Sequence, residues 1–324
     1  MILLLGATSY VGQAFARALR RRKDTFVPLS RNAFDYTRFE FLFDYVRKMQ
    51  PDFVINAADS AQKLNGNPDE LERLEMLQSN TLLPQTVARV CSSVGVPWAH
   101  ISSGNIYTGA KVIHNGGFKI EEDLSRPVIR EMFVHHPECF RGYSELDQPN
   151  FCFKSAPCTF YSGTKALAEE ALQDQQRLYV WRFQLPFNEA DEPRNFLTQL
   201  RDRARFRDAI NSCSQVDDCV AACLELWDRQ APFGTYNVVN PGAVCTHEIA
   251  QLIQRKLKPQ GRFELLLYDD ASARFEGQEP CSDCILDVSK LLCTGIKLRH
   301  VHDALEHSLA RWIPQASHHV QTSV

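Results

Sequence analysis

The sequence predicts an α/β protein: a doubly wound parallel sheet of Rossmann type with a smaller C-terminal lobe over its cleft. Three observations point there. Over residues 1–100, short apolar runs alternate with stretches that are apolar at helical period, the pattern of parallel strands covered by helices. Each run ends on small or polar residues, which is where an open α/β sheet presents its ligand site. A glycine turn, Gly6-Ala-Thr-Ser-Tyr-Val-Gly12, joins the first run to the first helical stretch.

Ile2 to Leu5 reads as a buried strand, after which Val11, Phe15 and Leu19 recur at helical spacing. Arg20-Arg21-Arg22 closes that helix with cations that suit the negative end of its dipole. Three further strands follow: Thr25 to Leu29, ending on Ser30-Arg31; Asp52 to Ile55, ending on Asn56-Ala57-Ala58; and Val96 to Ile101, ending on Ser102-Ser103. From Thr108 to Ala156 the periodicity lapses, and the stretch reads as a long excursion rather than a domain. Regular structure resumes with a helix from Tyr161 to Gln175 and a strand from Tyr179 to Phe183. An Arg-rich helical piece, Phe196 to Arg207, a helix Val216 to Arg229, a strand Gly234 to Val239 and a last helix Val301 to Trp312 complete the order. The expected division is a dinucleotide-binding unit over 1–182, its sheet completed from within 210–240, and a substrate lobe over 183–324 whose tail, 313–324, is expected to be disordered.

Composition excludes several classes. The chain has 324 residues, 44% hydrophobic and 23% charged, ample for a buried core. Lys+Arg 36 against Asp+Glu 39 leaves a net charge of −3, so no basic surplus is offered to nucleic acid. No apolar run has the length of a membrane span, and the opening Met1-Ile-Leu-Leu-Leu5 has no basic flank, so neither signal peptide nor membrane segment is expected. The eleven cysteines are odd in number and scattered, which fits free thiols in a reducing cytoplasm. Cys281-Ser-Asp-Cys284 has no second ligand pair and His135-His136 no evident carboxylate partner, so no metal site is expected.

Position makes the glycine turn informative. Between a strand and a helix it lets the backbone approach a pyrophosphate, with helix N–H groups as donors. Ser9 stands where a middle glycine is common. The end of the second strand selects the nicotinamide cofactor, because an acidic residue accepts a ribose hydroxyl whereas Arg accommodates a 2′-phosphate. Ser30-Arg31 therefore favours NADPH, with NADH second. Tyr161-Ser-Gly-Thr-Lys165 places a phenol and an ammonium on one helical face, where the cation is expected to lower the phenol pKa. Ser103 ends the fourth strand and offers a third polar group to the same substrate oxygen.

These motifs resemble the extended short-chain dehydrogenase/reductases along nearly the whole chain. The resemblance is carried by GATSYVG, PDFVINAA at 51–58, the Asn of QSN80, ISSGNIY at 101–107, YSGTK at 161–165 and GTYNVVNPG at 234–242. Within that superfamily the chain is most similar to the reductases of nucleotide-linked 4-keto-6-deoxysugars, of the dTDP-4-dehydrorhamnose reductase and plant epimerase/reductase kind. PNF at 149–151, FYSGTKALAEE at 160–170, PRNFLT at 193–198 and CSDCILDVSKL at 281–291 carry this closer likeness. The resemblance implies NAD(P)H-dependent reduction of a C4 ketone with Ser103, Tyr161 and Lys165 as catalytic residues. It implies cofactor contacts from Gly6, Thr8, Ser9, Tyr10, Val11, Gly12, Ser30, Arg31, Ala57, Ala58 and Asn80, besides Tyr161 and Lys165; Asn80 would support the loop that holds the lysine. Asn105, Arg182, Arg194 and Asn195 fall on the implied substrate side, and the usual family arrangement is a homodimer. The bifunctional relatives carry a Cys where this chain has Asn105, and an amide does not exchange a proton near neutral pH, so the expected activity is reduction without epimerisation. Two other readings keep the same fold: an epimerase or dehydratase with tightly held NAD, and a non-catalytic nucleotide-sensing subunit.

Overall fold

Strand β1 (Ile2–Leu5) is buried along its whole length, and its alternation divides the molecule. Ile2 and Leu4 belong to one apolar cluster, Leu3 and Leu5 to another. Such a strand requires cover on both faces, which a parallel sheet flanked by helices supplies. The computed structural model describes residues 1–60, 68–114, 116–203, 205–257, 264–266 and 281–315. It shows β1, β2 (Phe26–Leu29), β3 (Phe53–Asn56), β4 (Trp98–Ser103), β5 (Leu178–Phe183) and β6 (Gly234–Asn237) in one parallel sheet, in the spatial order β6-β5-β4-β3-β1-β2. The doubly wound α/β class read from the sequence is the observed one.

Helices α1 (Tyr10–Arg22) and α8 (Val216–Asp228) cover one face; α2 (Phe39–Met49) and α4 (Leu83–Val94) cover the other. The remaining helices used below are α3 (Glu70–Leu77), α5 (Pro127–His135), α6 (Phe160–Leu172), α7 (Phe196–Arg201) and α9 (Thr246–Leu257). Arg20, Arg21 and Arg22 do close α1, where Arg22 pairs with Asp24 at 2.8 Å and with Asp228 of α8 at 2.8 Å. On the α1 face, Trp181 is fully buried and its ring lies 5.9 Å from Phe15, 5.7 Å from Tyr179 and 6.2 Å from Phe53.

Three stretches differ from the reading of the sequence. Residues 108–156 hold a three-stranded antiparallel sheet, in the order Gly117–Glu121, Ala110–His114, Phe140–Arg141, with α5 packed beside it. Its outer strand is solvent-facing along almost its whole length; Phe118 and Ile120 alternate with Lys119 and Glu121 for only two repeats, and both apolar side chains are exposed. The helix expected over 196–207 ends at Arg201, and Arg205–Arg207 pairs as a strand with Glu264–Leu266. The tail expected to be disordered from 313 begins ordered: Ile313 N–H donates to Glu189 O at 2.8 Å and Asp191 N–H to Ile313 O at 3.0 Å. Residues 316–324 of that tail lie outside the described residues. The part of the chain after β5 builds a third apolar cluster from Phe187, Leu197, Val244, Ile253 and Leu305. Among the described residues no helix is long and apolar enough to cross a membrane.

Trp181→Ala removes the ring that Phe15, Phe53 and Tyr179 share, and denaturant unfolding should show a stability loss of about 3–5 kcal/mol.

Candidate active site

The turn after β1 is built on close backbone approach. Gly6 has φ 71°, and a Cβ there would lie 2.3 Å from the Ala58 nitrogen; one on Gly12 would lie 2.1 Å from the Gly6 oxygen. Ser9 explains why the middle glycine is dispensable: it is the N-cap of α1, accepting from Gly12 N–H at 2.9 Å while its hydroxyl donates to Ala57 O at 2.6 Å. Thr8 stands exposed on the lip, Val11 is partly buried, and the Tyr10 side chain is buried in the core, so a nucleotide meets only its backbone. Ala57 and Ala58 are buried, and Ala58 N–H is held by Asn56 Oδ1 at 3.2 Å.

Beyond β2, Ser30 O accepts from Ala33 and Phe34 N–H at 3.1 and 3.0 Å, which turns the chain and leaves Arg31 exposed. The Arg31 guanidinium donates to Ser79 Oγ at 3.1 Å and keeps its other donors open for an anion.

Ser103 ends β4 and is 7% exposed; its Oγ accepts from Asn105 N–H at 3.2 Å and lies near enough to the Tyr161 phenol to favour its ionisation. Tyr161 and Lys165 lie one turn apart on α6, whose start is capped by Thr159 accepting from Ser162 N–H at 3.0 Å. Lys165 is 1% exposed: its Nζ donates to Ile101 O at 3.3 Å and pairs with Asp59 Oδ1 at 2.9 Å, 5.5 Å from the Tyr161 ring centre. The three groups anticipated from sequence are therefore together at the carboxyl end of β4.

The phenol's ionisation differs from the expectation. Burial, and after it the Asp59 carboxylate 3.4 Å from the hydroxyl, push the Tyr161 pKa well above the ordinary phenol value, against the lowering influence of the Ser103 hydroxyl. The ammonium does not lower it because Asp59 takes its charge. Asp59 was missed in reading the sequence; the available signal was an acidic residue directly after the Asn56-Ala57-Ala58 strand end. Behind the site, burial together with Lys165 holds His100 well below the ordinary imidazole value, so the ring is neutral.

The family profile for the RmlD substrate binding domain matches residues 1–313. The chain belongs to this family. Among its relatives, the bifunctional dTDP-4-dehydrorhamnose 3,5-epimerase/dTDP-4-dehydrorhamnose reductase of Arabidopsis thaliana is 24% identical over 304 residues, covering 94% of this chain and 90% of that protein. Among solved structures, the L780 UDP-rhamnose synthase of Acanthamoeba polyphaga mimivirus superposes with TM-score 0.74 at 17% identity, covering 96% of this chain and 98% of that one. The dTDP-4-dehydrorhamnose reductase of Bacillus anthracis, solved in complex with NADP, gives TM-score 0.70 at 18% identity, covering 96% and 97%. These likenesses confirm the Rossmann-like fold of an RmlD family member.

The structure also places the other positions expected in this RmlD family chain. Asn80 is fully buried in a π turn, Gln78–Leu82, between α3 and α4, where it braces the start of the lysine's helix as the resemblance implies. Its amide accepts from Ser60 N–H at 3.0 Å and donates to Ser60 O at 2.9 Å and to Thr164 Oγ1 at 3.2 Å, tying the loop after β3 to α6. Arg182 is 4% exposed and forks onto Glu169, with Nε–Oε1 3.0 Å and Nη2–Oε2 2.6 Å, and Nη1 donates to Tyr107 Oη at 3.0 Å. That geometry makes it a structural cation, not a substrate ligand. Asn195 is likewise fully buried as the N-cap of α7, accepting from Leu197 N–H at 3.0 Å and donating to Asn188 O at 2.9 Å. Arg194 beside it is exposed, and Asn105 is partly exposed next to Ser103. His247 is occupied by the buried Asp208 at 2.8 Å. No group of His, Cys, Asp and Glu among the described residues could hold a metal ion.

Glu169→Ala should strand Arg182 as a buried unpaired charge and lower stability by about 3–5 kcal/mol in denaturant unfolding. Gly12→Ala should abolish NADPH binding in a fluorescence titration, because its methyl group would meet the Gly6 carbonyl that shapes the turn.

Proposed function

We propose that this protein reduces the C4 ketone of a nucleotide-linked 4-keto-6-deoxyhexose, dTDP- or UDP-linked, with NADPH as reductant, in deoxysugar biosynthesis. One observation carries the reading: a hydroxyl, a phenol and an ammonium meet beside a glycine turn in a chain of this family. The relatives named for this chemistry, and the NADP in one of their structures, support it.

The residues present fit a nicotinamide dinucleotide. With no side chain at Gly6 or Gly12 the turn packs closely on Ala58 and on itself, which leaves its backbone and the first N–H groups of α1 to meet a pyrophosphate. Ser30 and the open donors of Arg31 suit a 2′-phosphate, which places NADPH ahead of NADH. When bound, the reduced nicotinamide supplies the hydride for C4. Ser103 polarises the carbonyl through its hydroxyl, and Tyr161 gives its phenolic proton to the C4 oxygen. The phenolate recovers its proton from water. Lys165 holds its charge behind the phenol and within reach of a ribose hydroxyl.

The part of the chain after β5, with Arg194 exposed on it, would take the sugar-diphosphate side. The Asn105 amide offers no proton to C3 or C5, so a separate epimerase prepares the substrate. A cytoplasmic location agrees with buried thiols such as Cys213, Cys219 and Cys223. A homodimer agrees with exposed Leu82 and Leu167, which lie at the packed α4 and α6 flank.

The test is NADPH absorbance on mixing the protein with dTDP- or UDP-4-keto-6-deoxyglucose, with and without a 3,5-epimerase. Consumption is expected only with the epimerase, and Tyr161→Phe should reduce kcat by about 10²- to 10⁴-fold. No consumption, or full activity in Tyr161→Phe, overturns the reading. Arg31→Ala should raise the KM for NADPH about ten- to a hundredfold while leaving that for NADH nearly unchanged.

A further inference from the structure

We propose that Asp59 is a positioning residue of this reaction: one carboxylate oxygen takes the Tyr161 hydrogen bond and the Lys165 ammonium together, which holds the phenol as a proton donor and biases the site toward reduction. The inference rests on the reductase reading above and adds a residue to it.

The geometry is specific. Asp59 Oδ1 lies 3.4 Å from Tyr161 Oη and 2.9 Å from Lys165 Nζ. An ionised carboxylate only accepts hydrogen bonds, so the phenol must be the donor between them, and a phenolate would face a like charge. An unpaired ammonium beside a phenol would favour the opposite, ionised form. Here its nearest partner is the carboxylate.

The carboxylate is also held in place. On one side Ala58 N–H is bound by Asn56 Oδ1; on the other, Ser60 is clamped at both its N–H and its carbonyl by the Asn80 amide. The Asp59 side chain is 29% exposed against 1% for Lys165, so it is also the more water-accessible of the pair. Among the described residues, the charged groups facing the phenol are Asp59, from the loop after β3, and Lys165, from its own helix. Strand β4 contributes only the Ser103 hydroxyl and, behind it, the neutral His100.

The sign of the effect follows. Reduction uses the protonated phenol, so a carboxylate that disfavours its ionisation extends activity to higher pH. Asp59→Asn keeps the shape and an acceptor oxygen but removes the charge and leaves Lys165 unpaired, and both changes favour ionisation. The alkaline limb of kcat/KM for NADPH-dependent reduction should move about 1–3 pH units lower. At the pH where the parent protein retains half its activity, Asp59→Asn should then retain about a tenth or less. Asp59→Glu should restore the limb, which a merely structural role would not do.

Because Asp59→Asn could be too slow to profile, the phenol is also titrated directly. The alkaline tyrosinate absorbance of each protein minus that of its Tyr161→Phe counterpart isolates this one phenol, without turnover. A lower midpoint in Asp59→Asn than in the parent supports the proposal; an unchanged or higher midpoint overturns it. Turnover lost in Tyr161→Phe together with an unmoved limb and midpoint in Asp59→Asn overturns this inference alone. Full turnover in Tyr161→Phe overturns the reductase reading beneath it.

Discussion

The site depends on how closely two pieces of backbone approach each other. The turn after β1 packs against the end of β3 with no room for a side chain at Gly6 or Gly12, and Ser9 fixes the contact by donating to the Ala57 carbonyl. That approach sets the height of Ala57 and Ala58, and Asp59 follows directly in the chain. The glycine turn thus fixes both the floor on which a dinucleotide would lie and the strand end that carries the carboxylate.

A second constraint brings α6 to the same place. Asn80 and Thr81, both buried in the π turn, bond Ser60 and Thr164: Asn80 reaches both, and Thr81 Oγ1 donates to Thr164 O at 2.9 Å. Buried amides that use both their oxygen and their nitrogen specify geometry more than they add stability, since each bond replaces one to water. The loop after β3 and the helix carrying Tyr161 and Lys165 are therefore referenced to one rigid piece of chain. The same economy governs Arg182 and Glu169, which look like ligands in a list of charged residues and are instead a closed pair beneath the site.

The sheet was legible because its first strands are short, mostly apolar runs ending in polar residues, and because the phenol and ammonium are neighbours in sequence. The excursion was not legible because its strands are short: the alternation of Phe118 and Ile120 with Lys119 and Glu121 spans only four residues among glycines, histidine and charges. Arg182 and Asn195 show a different limit. A residue type announces which bonds it can make, but whether a partner such as Glu169 or Asn188 already occupies it is decided by contacts between distant segments. Asp59 was hidden for the same reason: its meaning arises only when α6 brings two groups to it.

The Ile313 contact determines how the chain after β5 is closed. Two backbone bonds join residue 313 to residues 189 and 191, immediately after the chain leaves the sheet. Residues 189–191 are thus zipped to residue 313, so the polypeptide between them, α8 and β6 included, forms a closed loop with its seam at that contact. A truncation ahead of Ile313 would open that seam and unsatisfy the backbone on both sides, while one beyond residue 315 would leave it shut.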